Sequence, residues 1–154
     1  MKQIRTEIII NAPAAAVWSI ITDFDSYPRW NGFTPRVTLK NSEFTEGAEF
    51  DLDCRMTDRK LLKDEHEVIL VIDREGFRLC MGTSRTKGRP GIRSYRWQIC
   101  KPLDENRIRF INYEEFHGPL APLVYLMYKE KLSAAFRKYC ETLKVYAEGV
   151  CRPS

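Results

Sequence analysis

From Pro122 to about Ala147 the apolar residues recur every three or four positions, at Leu120, Val124, Met127 with Tyr128, Leu132, Ala135 with Phe136, Tyr139, Leu143 and Tyr146. Lys129, Glu130, Arg137, Lys138, Glu141 and Lys144 fall mostly on the other side. The spacing predicts one amphipathic helix of about 25 residues, roughly 37 Å long at about 1.5 Å per residue and about twice the average helix length. A stripe that long needs an equally wide partner surface, and the segments before it supply one.

Between Thr34 and His117 the period changes to two. Candidate strands are Pro35 to Lys40, Ala48 to Met56, Asp64 to Arg74, Phe77 to Gly82, Ile92 to Lys101 and Arg107 to His117. Phe50, Leu52, Cys54 and Met56 alternate with Asp51, Asp53 and Arg55; Tyr95, Trp97 and Ile99 alternate with Arg96 and Gln98; Ile108 and Phe110 alternate with Arg107 and Arg109. Such alternation indicates an antiparallel sheet with one face in water and one covered. Glu75-Gly76 and Asp104-Glu105-Asn106 supply hairpin turns. Upstream, Ile4 to Ile10 reads as a first strand. Pro13 suits the first position of a short helix capped by Asn11 or Ala12, with Val17, Trp18, Ile20 and Ile21 as its buried face. A second short helix, capped by Thr22 or Asp23, runs through Phe24 and Tyr27 and ends near Pro28.

A chain of 154 residues fits one domain, here residues 1–148 with a frayed tail over 149–154. It buries enough surface to need neither disulfide nor metal. The 25 basic and 21 acidic residues are interspersed and leave a net charge of +4, which does not describe a nucleic-acid-binding surface. The N-terminal segment has only the apolar run Ile8 to Ile10, too short for a signal peptide, and no stretch suits a membrane span. Cys54, Cys80, Cys100, Cys140 and Cys151 are odd in number and show no CxxC spacing, which fits reduced thiols in the cytoplasm and no metal site.

The order of elements resembles the START-like (SRPBCC) superfamily, and within it the polyketide cyclase/dehydrase and lipid-transport group. The resemblance is carried by Ile10-Asn11-Ala12-Pro13 with Val17-Trp18, by Thr22-Asp23-Phe24-Asp25-Ser26-Tyr27-Pro28-Arg29-Trp30-Asn31, by Trp97 and Ile99 before Pro102, and by Glu114-Glu115-Phe116-His117-Gly118 before the helix. It implies an α+β helix-grip fold: a seven-stranded curved antiparallel sheet wraps a long C-terminal helix, two short helices follow the first strand, and a deep cavity holds hydrophobic ligands. Members include lipid carriers, hormone and quinone binders, aromatic cyclases and subunits of larger enzymes, so fold alone does not choose a function.

The expected function is binding of a small hydrophobic or amphipathic molecule, without cofactor. Its expected lining is Trp30, Phe33, Phe50, Met56, Met81, Tyr95, Trp97, Phe110, Glu114, Phe116, Leu123, Met127 and Phe136, the same residues that would form a solid core if no cavity were left. Asn112 and Glu114 share parity with Phe110 and Phe116, so both should face inward, where a carboxylate has its pKa raised unless a cation answers it. With Tyr95, and with His117 at the strand-to-helix corner, they are the candidates for acid/base work if the protein is a cyclase/dehydrase-type enzyme. His66, in Asp64-Glu65-His66-Glu67, reads as part of a solvated charge cluster. A third reading is a protein-interaction module of a quinone or ribosome-associated pathway, whose pocket would be filled by side chains.

The segment Arg85 to Arg93 carries four basic residues and reads as a solvated hairpin tip or a cationic rim for an anion. A transient membrane contact falls to that rim, which would meet an anionic surface, while Leu120 to Tyr128 is apolar nearly all round, which suggests packing under the sheet and short helices, a dimer contact or a movable pocket gate. Monomer and homodimer are both compatible with these features.

Overall fold

The computed structural model describes residues 2–41 and 43–152. Strand β1 (Lys2–Ile10) is followed by helix α1 (Ala14–Ile21), a 3₁₀ turn (Phe24–Ser26) and the short α2 (Tyr27–Trp30). Then come β2 (Arg36–Leu39), β3 (Glu49–Thr57), β4 (Lys60–Asp73), β5 (Arg78–Thr83), β6 (Arg93–Asp104), β7 (Arg107–His117) and α3 (Ala121–Val150). The seven strands form one antiparallel sheet in the order β1-β7-β6-β5-β4-β3-β2, so only the first strand departs from a meander, and it closes on the last. Register shifts in the β3–β4, β4–β5 and β6–β7 pairings bend the sheet. The curved sheet grips α3, which presents Leu132, Ala135, Phe136, Tyr139, Leu143 and Ala147 to its concave face.

Several boundaries differ from expectation, each for a local reason. Pro28 does not end α2 but sits in its first turn, where the missing N–H is not needed. Pro13 is the residue before α1 rather than inside it, and its carbonyl accepts from the N–H groups of Ala16 and Val17. Strand β4 begins at Lys60 and makes a tight hairpin with β3. Asp64 takes a left-handed φ of 55° there, and Asp53 Oδ1 accepts its N–H at 3.1 Å. Phe77, expected in β5, occupies the preceding turn at φ 52° with its ring 6.1 Å from that of Trp18. Helix α3 has 30 residues and continues through Gly149 and Val150, where a frayed tail was expected; Pro153 and Ser154, the end of that tail, lie outside the described residues.

The largest departure is the facing of β6. Pairing with β7 puts Arg96 opposite Glu114, Gln98 opposite Asn112 and Cys100 opposite Phe110, and these are the inward residues. Tyr95 and Trp97, expected inside, are on the convex face. Trp97 stacks on Tyr113 at 6.5 Å, Arg5 lies 5.6 Å from the same Tyr113 ring, and Tyr95 packs against His117 at 5.2 Å. In β6 the outer face therefore carries the aromatics and the inner face the polar groups. That inversion of the usual pattern is the kind of local conflict that marks a functional site.

Candidate functional site

Arg96 projects from the middle of β6 into the space under α3 and is only 7% exposed. Its guanidinium lies 4.9 Å from the ring of Phe33, 5.0 Å from Phe136 and 4.5 Å from Tyr139, so aromatic faces hold the cation from both the α2–β2 connection and the helix. Nε donates to Asn112 Oδ1 at 2.8 Å. None of the ion pairs among the described residues includes Arg96, and its Nη2 has no hydrogen-bond partner.

Two neighbours repeat the pattern. Asn112 spends its oxygen on Arg96 and Gln98 accepts from the Tyr139 hydroxyl, leaving Asn112 Nδ2 and Gln98 Nε2 without partners. Arginine can only donate, so the orientation of the Asn112 amide is dictated by its contact. Three buried N–H donor groups on adjacent registers of β6 and β7 are thus unmatched, where each would ordinarily be satisfied.

Carboxylates line the same region. Glu114 lies across β7 from Arg96, and Glu67 projects inward from β4 beside Phe50 and Thr83. Burial raises the pKa of Glu67 to about 8, with repulsion from Glu114 adding to the rise and Arg96 opposing it. Burial raises Glu114 as well, countered by Arg96 and the Ser94 hydroxyl. Both side chains nevertheless keep partial accessibility. Both face the concave side of the sheet, and the region they share with Arg96 beneath α3 is the candidate recess. The thiol of Cys54 is pushed up mainly by burial, with Glu67 adding to the rise.

The expected site residues divide into four sets. Phe33, Met56, Met81, Glu114 and Phe116 face the concave side near this polar floor, and Asn112 forms part of the floor itself. Phe50, Phe110 and Phe136 are almost wholly buried among their neighbours and back the site as packed core, because the sheet closes tightly beneath the middle of α3. Trp30 stacks on Tyr146 at 6.0 Å and borders a separate groove of about 350 Å³ with Arg29, Glu141 and Val145.

Four expected residues point away. Tyr95 and Trp97 are on the convex face, as described. Leu123 and Met127 are 56% and 58% exposed, because Ala121, Val124, Tyr125 and Tyr128 form the side of α3 turned to the sheet. His117 is also outside the recess, with Nε2 3.2 Å from Glu115 Oε2 on the convex parity. Residues that sequence reasoning missed are Arg96, Gln98, Glu67 and Tyr139. Glu67 was hidden in an apparent charge cluster, yet only Asp64 and His66 of that cluster are on the outward parity, with His66 Nδ1 2.5 Å from Asp51 Oδ1. The parity of Glu65 and Glu67 with the buried Ile69 was the available signal.

At the sheet end, the β5–β6 loop joins the helix start. Leu120 N–H donates to Gly91 O at 2.9 Å, and Gly118, at φ 102°, packs so close that an added Cβ would sit 2.6 Å from Gly91 O. A pocket of about 290 Å³ opens there among Thr83, Arg85, Arg89, Arg93 and Gly118. Arg89 also reaches Glu65 at 3.4 Å.

The chain resembles known proteins along its full length. A family model described as "Polyketide cyclase / dehydrase and lipid transport" matches residues 1–148. The Zhui aromatase/cyclase from Streptomyces sp. R1128 superposes with a TM-score of 0.74 at 14% identity, covering 98% of this chain and 96% of that one. A START superfamily protein from Mycobacterium smegmatis does so with a TM-score of 0.69 at 15% identity, covering 96% and 98%. Among curated proteins, the oxopyrrolidines biosynthesis cluster protein O of Penicillium oxalicum is 46% identical over 52 residues, a stretch that spans 32% of this chain and 26% of that protein. The match over residues 1–148 assigns the chain to the polyketide cyclase/dehydrase and lipid transport family, and the superpositions show that it shares the fold of the START superfamily protein.

Proposed function

We propose that this protein binds a small amphipathic molecule, with an oxyanion or carbonyl oxygen held by the free N–H donors of Arg96, Gln98 and Asn112. The apolar body of the ligand lies against Phe33, Met56, Met81 and Phe116. The observation that carries this reading is the unpartnered Nη2 of a buried arginine. Leaving a buried donor unsatisfied costs about 1–3 kcal/mol, and more for a charged one, so a partner oxygen recovers that cost when it enters. The aromatic rings hold the cation in place without using its hydrogen bonds, which keeps them available.

Native mass spectrometry tests the proposal. Protein incubated with a lipid and metabolite extract is expected to retain a small molecule that Arg96→Met does not. Retention of nothing, or of the same masses by both proteins, would count against it.

A second reading is catalysis of the cyclase/dehydrase type. It is favoured by Glu67, which keeps its proton near neutral pH and so can act as a general acid beside a cationic anchor. Glu114 is the partner carboxylate from the original candidates. In this reading Glu67→Gln abolishes turnover of a polyketone substrate while leaving its binding intact. Unchanged turnover would remove Glu67 from the chemistry.

A further inference from the structure

The first turns of α3 and the β5–β6 loop make one surface. Leu120, Leu123, Leu126 and Met127 are 45%, 56%, 66% and 58% exposed and follow one another along the side of α3 turned from the sheet. The loop is fixed beside them by the Leu120 N–H to Gly91 O bond and by contact of the Leu120 side chain with Gly91. Exposed apolar side chains grouped in this way mark an interaction surface.

The charge around this patch is mainly basic. Arg85 and Lys87 on the loop, Arg93 at the start of β6 and Lys131 on the helix are exposed, Lys129 is half-buried, and Lys2 lies 5.4 Å above the Tyr125 ring. None of these six is in an ion pair among the described residues, and Glu130 is an exposed acid on the same stretch of helix. Tyr125 and Tyr128 stand half-buried at the boundary between the leucines and the sheet, where an amphipathic ring suits a water–lipid border.

From this we infer that the patch docks onto an anionic bilayer surface, with Leu123, Leu126 and Met127 entering the interface and the basic rim facing lipid phosphates. The complementarity selects this occupant over a second copy of the chain, because pairing two such patches would bring basic rim against basic rim. Each cation near an anionic surface strengthens attachment about fivefold, and salt weakens it. The inference stands on the surface alone and does not depend on what Arg96 binds.

Sedimentation with vesicles tests it. The full chain is expected to bind phosphatidylcholine vesicles containing phosphatidylglycerol, to bind pure phosphatidylcholine at least about tenfold less, and to be released by high salt. Leu123→Ser with Leu126→Ser and Met127→Ser, and separately Arg85→Glu with Lys87→Glu, should each lower binding about tenfold or more with an unchanged circular dichroism spectrum. Arg96→Met should bind vesicles as the unaltered protein does, which separates this result from the fate of the proposed ligand site. No vesicle binding, equal binding to neutral vesicles, or a dimer in light scattering that the triple variant dissolves would overturn the inference.

Discussion

Arg96 and Glu114 lie directly opposite each other on neighbouring strands, on the same buried face, and do not form an ion pair; the arginine instead donates Nε to Asn112 and keeps Nη2 free. In the proposed function, the donor left free on this buried cation is the one that takes the ligand oxygen. The aromatic rings around it supply attraction without satisfying a donor.

Arg96→Met is expected to change stability by less than about 2 kcal/mol, because removing a desolvated charge (about 1–4 kcal/mol gained) offsets an orphaned Asn112 oxygen (about 1–3 kcal/mol lost). Urea denaturation measures this. A loss well beyond that range would mean that Arg96 is there to hold the fold.

Glu67 makes stability depend on pH. Its pKa is raised from 4.5 to about 8 in the folded protein, so between those values the native state holds a proton that the unfolded chain releases. The stabilisation from this group is complete below the unfolded value and is lost as pH rises toward the folded one. The urea midpoint should therefore fall between about pH 5 and about pH 8.5, and Glu67→Gln should reduce that fall. Glu114 is shifted in the same direction, so the variant carrying Gln at both positions should show the flattest profile.

The sequence located all seven strands to within a few residues and showed the long helix, because hydrophobic alternation and the three-to-four spacing are set by burial. The parity of Asn112 and Glu114 was equally legible, fixed by Phe110 and Phe116 on the same strand. Strand β6 was not legible by that rule. Its aromatics cover the convex face, where Trp97 meets Tyr113, while its arginine and glutamine face inward. Only the pairing of β6 with β7 reveals this, and pairing is not written in the composition of one strand. Glu67 was obscured in the same way by its charged neighbours, although its parity with Ile69 was present.

Gly118→Ala should destabilise the protein by about 1–3 kcal/mol, since φ 102° disfavours any side chain and the new Cβ would press on Gly91 O at 2.6 Å. Thermal unfolding reads the effect. An unchanged midpoint would show that the corner relaxes without cost.

Thiol reactivity should be confined to one site. Cys54, Cys80, Cys100 and Cys140 are buried with raised pKa values, whereas Cys151 is half-exposed. A thiol reagent should modify one of the five cysteines in the native protein and all five after denaturation. Rapid modification of Cys54 without unfolding would indicate that the recess opens far wider than its packing implies.

The most direct test of the central claim is a crystal structure of the protein after exposure to a lipid and metabolite extract. The account predicts density in the recess with an oxygen about 3 Å from Arg96 Nη2 and within reach of Gln98 or Asn112. A ligand bound elsewhere while Nη2 stays unpartnered, or Arg96 turned to pair with Glu114 or Glu67, would contradict it.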